Sequence, residues 1–244
     1  MIAAGGVMAS GPVIPNFGQG SSCVTGDHLF CWGWVKQHWG DTLGPALEQH
    51  AVLTGTSVGI GVVLAFALAL LVHRFRGVEQ PVSVLSALIY TVPSIAAFEL
   101  LIPLTGLTYT TVEIPLVAYS LVVLFPNFVA GLTSAPADVL EAGRGMGLTR
   151  RQLLLRVELP LALPTIIGGL RVAVVSTISI ATIGATVGGK GLGQPIFYAI
   201  ALPIPFKTEI YSAGFLTVAF ALVCDTTLVL VRRAVVPWTR ASTG

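Results

Sequence analysis

One run of 22 residues without a charged side chain, residues 51–72, limits what this chain can form more than any other feature. A bilayer core about 30 Å thick is crossed by roughly 20 apolar helical residues, so the run predicts a membrane-spanning helix. Only 10% of the 244 residues are charged, and the mean hydropathy is +0.86. A soluble domain carries about 25% charged residues. We therefore expect a protein whose outer surface faces lipid.

Four further apolar segments have the length of membrane helices. The runs are continuous and lack the period of two that barrel strands show, so helices are favoured over a barrel. We therefore predict an all-α polytopic membrane protein with a five-helix core bundle. The four additional spans cover about residues 82–104, 114–132, 161–187 and 210–231.

Three prolines lie inside or beside these spans: Pro93, Pro126 and Pro164. Each removes a backbone donor and is expected to kink its helix. In lipid the freed carbonyl must be satisfied by neighbouring helices or by water. That requirement favours a bundle with a central pathway over single anchors, and irregular packing in a bundle without transport is the alternative.

The basic residues predict how the helices are oriented. Cytoplasmic flanks of membrane helices carry an excess of Lys and Arg. If the five spans alternate in direction, nine arginines fall on one side and three lysines on the other. We therefore expect an external N-terminus and a cytoplasmic C-terminus in a prokaryotic cell membrane. The nine are Arg74, Arg76, Arg144, Arg150, Arg151, Arg156, Arg232, Arg233 and Arg240, and the three are Lys36, Lys190 and Lys207.

The first 50 residues do not have the pattern of a signal peptide, since no basic segment precedes an apolar core. Residues 33–50 are expected to form an interfacial helix. Cys23 and Cys31 would both lie on the external side, where disulfides can form. The sequence is compatible with a disulfide between them and with two unpaired thiols. Three tryptophans would lie at the level of the lipid headgroups: Trp32, Trp34 and Trp39.

The loop of residues 133–160 is too polar to span a membrane and too patterned to be a linker. Ser134 is expected to cap a short helix that ends at a group of glycines. Thr149 and Gln152 have the spacing of a capping box, which predicts a second short helix ending before Pro160. Both helices would lie across the bilayer plane and dock onto a soluble partner or onto the inner ends of the bundle.

This loop resembles the EAA motif of ATP-binding-cassette importer permeases, which reads Glu-Ala-Ala, three residues, Gly, nine residues, Ile-x-Leu-Pro. Five positions match at the required gaps, and two differ, with Gly in place of the second Ala and Val in place of Ile. The resemblance implies a type I permease domain over residues 48–235. The distribution of basic residues makes 1–47 an external segment and 236–244 a cytoplasmic tail. The motif residues are Glu141, Ala142, Gly143, Gly147, Val157, Leu159 and Pro160.

By this resemblance, the loop forms cytoplasmic coupling helices that dock onto a separate cytosolic ATPase. ATP would bind to that partner, so the chain itself is expected to need no cofactor, metal or catalytic residue. A second permease subunit, identical or different, and an extracytoplasmic substrate-binding protein complete the expected assembly. The net charge of +2 gives no basic face for nucleic acid.

Further local matches resemble osmoprotectant permeases, which import glycine betaine, choline or carnitine. The same stretches recur in permeases for other small solutes such as amino acids, so that alternative stays open. An ion-driven secondary carrier is a second alternative, although no inverted repeat is visible. The matching stretches are residues 89–94, 144–147, 157–164, 169–171 and 188–193.

Two ionisable residues inside spans, Arg171 and Asp225, lie at depths that allow a buried ion pair. Such a pair would fix helix packing or contact substrate, and no solute-binding residue is assigned. Residues 184–191 nearly match a P-loop, but Gly191 stands where Ser or Thr should hold magnesium. We expect this glycine-rich segment to form an external turn.

Overall fold

The computed structural model describes residues 28–188, 190–203 and 205–240, and these ranges contain helices and no strand. The predicted all-α membrane fold is confirmed. In chain order the α-helices are α1 (Trp32–Gln37), α2 (Gly44–Arg74), α3 (Glu79–Thr91), α4 (Ser94–Thr105), α5 (Tyr109–Leu132), α6 (Ala137–Gly145), α7 (Arg150–Leu153), α8 (Leu159–Gly188), α9 (Gly193–Ile200) and α10 (Lys207–Val235).

Four helical stretches among the described residues are long and apolar enough to cross a membrane. They are Trp39–Arg74, Tyr109–Leu132, Arg150–Gly188 and Lys207–Val235, and each contains one predicted span. The second predicted span is different, because α3 and α4 are bent by 95° at the break between them. The span predicted over residues 82–104 is thus a bent pair of helices, and the break lies at Pro93, where the sequence predicts a kink.

The bend has a local cause at Pro93. A proline disfavours the helical conformation in the residue before it, and Val92 is accordingly extended at φ −76° and ψ 125°. The carbonyl of Pro93 then accepts the Ala97 amide at 3.0 Å to begin α4. The hydroxyl of buried Tyr119 donates to the Val92 carbonyl and holds the corner against α5. Pro126 and Pro164, by contrast, lie inside continuous helices.

Helix α5 is the centre of the bundle and packs against both α2 and α8. Its fully buried Leu124, Phe125 and Phe128 form one apolar cluster with small residues of α2 and α8. Small residues let two helices approach closely in a membrane, where lipid removes the hydrophobic drive for association. Gly169 of α8 shows how close this contact is, because a Cβ there would lie 2.4 Å from the Cβ of Asn127.

This close approach predicts opposite outcomes for two neighbouring substitutions. Gly168→Ala should leave the melting temperature unchanged or raise it, since nothing lies within 4 Å of the added methyl. Gly169→Ala should lower it by several degrees, because overpacking costs about 1–3 kcal/mol. Thermal unfolding of the two variants in one detergent makes the comparison. Equal melting temperatures would contradict the close α5–α8 contact.

The N-terminal helices differ from the predicted interfacial helix over residues 33–50. The second half of that segment belongs to the first membrane stretch, which begins with a π-helical turn at Trp39–Leu43. Trp34 is buried, since its ring stacks on His38 at 4.5 Å and meets Phe206 edge-on at 5.3 Å between centroids. Trp32 and Trp39 are exposed, as a headgroup position requires.

The possible external disulfide falls partly beyond the described part of the chain. Cys31 is buried next to α1 and packs in the cluster that contains Trp34 and Ala213. Cys23, the other residue of the pairing that the sequence leaves open, lies outside the described residues.

Candidate functional site

The segment that carries the EAA-like motif begins directly after α5. We call residues 137–158 the elbow. Ser134 does not cap α6, because its hydroxyl donates to the Gly131 carbonyl at 2.7 Å and so completes the end of α5. Helix α6 begins after Pro136, whose extended backbone precedes the first turn. The prediction of Ser134 as the cap is therefore wrong, although a short helix does follow it.

Gly147 forms the turn between the two short helices of the elbow. Its φ of +79° lies in the left-handed region that side chains with a Cβ rarely adopt. The Gly147 amide donates to Arg144 at 2.9 Å, and the Leu148 amide donates to Gly143 at 3.1 Å. This pair of bonds is the Schellman arrangement, which satisfies carbonyls at a helix end. Backbone geometry thus favours glycine at this position of the motif.

Gly143, where the family motif has Ala, lies at a close contact within the elbow. It is buried, and a Cβ at this position would lie 2.7 Å from the Cδ1 atom of Leu153. The absent methyl lets α6 pack closely against the start of the following helix. Leu153 is itself only 4% exposed, so it closes the inner side of the elbow.

Most of α6 is exposed, and one side of it is apolar. Val139, Ala142 and Met146 recur at positions i, i+3 and i+7, which places them on one side of the helix. Met146 is 76% exposed, and Glu141 is exposed on a different side of α6. We call Val139, Ala142 and Met146 the docking stripe. An apolar row on an otherwise polar helix has the character of a protein contact surface.

The second short helix is not separate from the membrane. Thr149 and Gln152 form the predicted capping box, with the Thr149 amide donating to the Gln152 side chain at 2.9 Å. From there α7 continues through a π-helical turn, Leu154–Glu158, into α8. The predicted end before Pro160 is wrong, because the helical stretch Arg150–Gly188 is continuous. The second half of the elbow is therefore continuous with a membrane helix.

Two contacts join the elbow to the end of α2. The His73 ring nitrogen Nε2 lies 2.8 Å from a carboxylate oxygen of Glu158. Arg150 Nη2 also donates to the His73 backbone carbonyl at 3.3 Å. The remaining motif residues lie half-buried around Glu158, and they are Val157, Leu159 and Pro160. Sequence reasoning missed this anchor, since residues so far apart in the chain share no local pattern.

Arg171 and Asp225 meet across α8 and α10. Arg171 Nε and Nη2 donate to the two carboxylate oxygens of Asp225, both at 2.8 Å. Two parallel hydrogen bonds of this kind form the strongest contact between an arginine and a carboxylate. The side chains are 32% and 30% exposed, so the pair is less buried than the sequence suggested. The reason is that it lies in a groove of about 650 Å³ that opens between the two helices.

The glycine-rich segment lies at the other end of α8 from the elbow. Within the described residues the chain turns at 190–192, with Gly191 at φ +76°, and enters α9. His50 of α2 is fully buried beneath this turn. Its Nδ1 accepts the Leu192 amide at 3.3 Å, while Nε2 is 3.2 Å from the Ile178 carbonyl. A helix precedes this turn where a P-loop requires a strand.

Comparison with known proteins identifies the family. Residues 57–241 match the family described as binding-protein-dependent transport system inner membrane component. The chain belongs to this family. Together with the apolar helices, this membership shows a multi-pass membrane protein and a transport subunit of the ATP-binding-cassette importer class. The resemblance that the EAA-like loop suggested is confirmed.

Several individual relatives are similar over most of the chain. It is 40% identical over 158 residues to the osmoprotectant import permease protein OsmW of Salmonella typhimurium, covering 63% of this chain and 74% of the relative. It is 34% identical over 197 residues to the choline transport system permease protein OpuBD of Bacillus subtilis, covering 80% and 86%. Each relative is thus covered over more than two thirds of its length.

A solved structure supports the fold. The chain aligns with a subunit of the inward-facing MetNI methionine ABC transporter at a TM-score of 0.70 and 22% identity. The alignment covers 79% of this chain and 95% of that one. At this identity the likeness shows a shared fold of the permease subunit.

Proposed function

We propose that this chain is the transmembrane subunit of an importer for quaternary-amine osmoprotectants such as glycine betaine, choline and carnitine. Family membership supports transport through the membrane. The named substrates of the similar OsmW and OpuBD proteins support the osmoprotectant class. A permease for another small solute such as an amino acid is the second candidate, favoured by the shared fold with the methionine transporter.

The elbow supports the proposed coupling to an ATPase. Its docking stripe exposes apolar side chains outside the membrane stretches, and its second helix runs without interruption into α8. A cytosolic ATPase that binds the docking stripe would therefore displace α8 together with the elbow. Glu141 and Ala142 would contact the ATPase, and Gly147 would hold the elbow's shape. The single observation that carries this proposal is the unbroken helical stretch from Arg150 to Gly188.

The proposed orientation follows from the same assignment. The elbow, the end of α2 and the end of α10 would be cytoplasmic, where arginines are concentrated. The glycine-rich turn and α9 would face the outside, where a substrate-binding protein delivers solute. A second permease subunit would complete the pathway. Rearrangement of the bundle would then alternate access between the two sides.

Uptake by proteoliposomes tests this function. The chain is reconstituted with its ATPase and binding protein, with ATP supplied on the ATPase side. We expect uptake of radiolabelled glycine betaine, choline or carnitine that requires ATP and that the unlabelled solutes inhibit. Uptake driven by an ion gradient without ATP would overturn the proposal in favour of a secondary carrier. Inhibition by amino acids alone would favour the second candidate.

A further inference from the structure

An open groove lies between the membrane helices α8 and α10. Its walls are mainly aliphatic, including Val172, Val218 and Leu222, and Ser176, Ser179 and Thr217 add hydroxyl groups. The Arg171–Asp225 ion pair is also part of its lining. A volume of about 650 Å³ is ample for a small solute.

The ion pair lies deep in the membrane-spanning helices. Arg171 follows the start of α8 at Leu159 by 12 residues, which is about 18 Å of helix. Asp225 precedes the end of α10 at Val235 by 10 residues, or about 15 Å. Partly exposed charges at such depth are costly against lipid, and they normally face a water-filled cavity or a bundle interior. We therefore expect the groove to face water or a neighbouring subunit and not the lipid chains.

The pair leaves hydrogen-bonding capacity for a ligand. A guanidinium carries five N–H donors, and in the described structure Asp225 takes one from Nε and one from Nη2. The outer edge formed by Nη1 and Nη2 can bind a second carboxylate while the ion pair stays intact. Asp225 meanwhile supplies negative charge next to aliphatic walls that suit methyl groups.

We infer that Arg171 and Asp225 form a solute-binding site for zwitterions that carry a carboxylate and a quaternary ammonium group. The solute carboxylate binds the free edge of Arg171. The methylated ammonium group, which has no N–H donor, lies against the aliphatic wall within electrostatic reach of Asp225. This inference rests on the proposed function, since it names residues that select among the proposed substrates.

Comparing uptake of the three proposed substrates distinguishes a solute-binding role of Arg171 from a role in helix packing. Glycine betaine and carnitine carry a carboxylate, whereas choline carries a hydroxyl group and needs no partner at Arg171. A residue that only holds helices together would affect uptake of all three equally. A residue that binds the carboxylate determines the ratio between zwitterion and choline uptake.

The test measures initial uptake of glycine betaine and choline in cells that contain the ATPase and binding protein but no other route for these solutes. In Arg171→Gln the betaine-to-choline ratio should fall about tenfold, as expected for losing a charge-assisted hydrogen bond. Arg171→Lys keeps the positive charge but loses the paired N–H donors of the guanidinium, and it should give an intermediate ratio. Leu230→Ala, which lies on the same helix as Asp225 but outside the groove lining, is the control and should leave the ratio unchanged.

An unchanged ratio in Arg171→Gln, with both uptakes reduced equally, would overturn the inference and leave the proposed function standing. If Arg171→Gln does not reach the membrane, the betaine-to-choline uptake ratio of Arg171→Lys tests the inference instead. A ratio lowered about threefold supports the site, and an unchanged ratio overturns it. Failure of the unsubstituted chain to import any of these solutes would instead overturn the proposed function.

Discussion

Ala142→Arg should reduce both solute uptake and solute-stimulated ATP hydrolysis at least tenfold while the protein still reaches the membrane. Ala142 lies in the centre of the docking stripe and is exposed, so the larger side chain does not disturb the fold. In the assembled importer, a long charged group would be forced into a contact built for a methyl group. A loss of about 1.4 kcal/mol in docking corresponds to each tenfold reduction.

Ala142→Ser is the matched control, because it keeps the small volume and adds no charge. Uptake by this variant should remain close to normal. The measurement is uptake and ATP hydrolysis per amount of membrane-inserted chain. Normal coupled transport by Ala142→Arg would show that the stripe does not contact the ATPase.

Gly147→Val should have the second large effect, lowering uptake at least fivefold. A residue with a Cβ in the left-handed region costs about 1–2 kcal/mol, and a branched side chain is least tolerated there. Space is not the limit, since nothing lies within 4 Å of a Cβ at this position. The expected defect is therefore a turn that no longer holds the stripe at the correct angle to α7.

Two control variants distinguish the effect of backbone conformation on uptake from the effect of a larger side chain on the surface. Asn tolerates positive φ better than other side chains, so Gly147→Asn should retain most uptake. Gly145→Ala changes a neighbouring glycine that has open space and no positive φ, and it should also retain uptake. Equal losses in Gly147→Asn and Gly147→Val would contradict the conformational explanation.

Local patterns in the sequence were sufficient for the long helices and for part of the elbow. The uncharged run at residues 51–72 and the run at 161–187 both lie inside observed membrane stretches. The capping box at Thr149 and the turn at Gly147 also depend on neighbouring residues alone. These features could be predicted because hydrophobic length, capping and backbone conformation are properties of short segments.

Other features depend on contacts between distant segments. Pro93 indicated a kink, but its 95° bend is held partly by Tyr119 of α5. The sequence around Glu158 does not indicate that His73 is its partner, because the two residues meet only when α2 and the elbow pack together. Depth along the helices allowed Arg171 and Asp225 to pair, yet the open groove beside them required the three-dimensional arrangement of α8 and α10.

The central claim is that the elbow is the contact through which a separate ATPase moves this bundle. Thiol cross-linking in the assembled importer tests it most directly, using Met146→Cys at the 76% exposed end of the stripe. Tyr198→Cys, which is 61% exposed on α9 at the other end of the bundle, is the control, and the unsubstituted chain gives the background from natural cysteines. A short cross-linker should join Met146→Cys, and not Tyr198→Cys, to the ATPase subunit. Cross-linking of Tyr198→Cys alone would contradict the account.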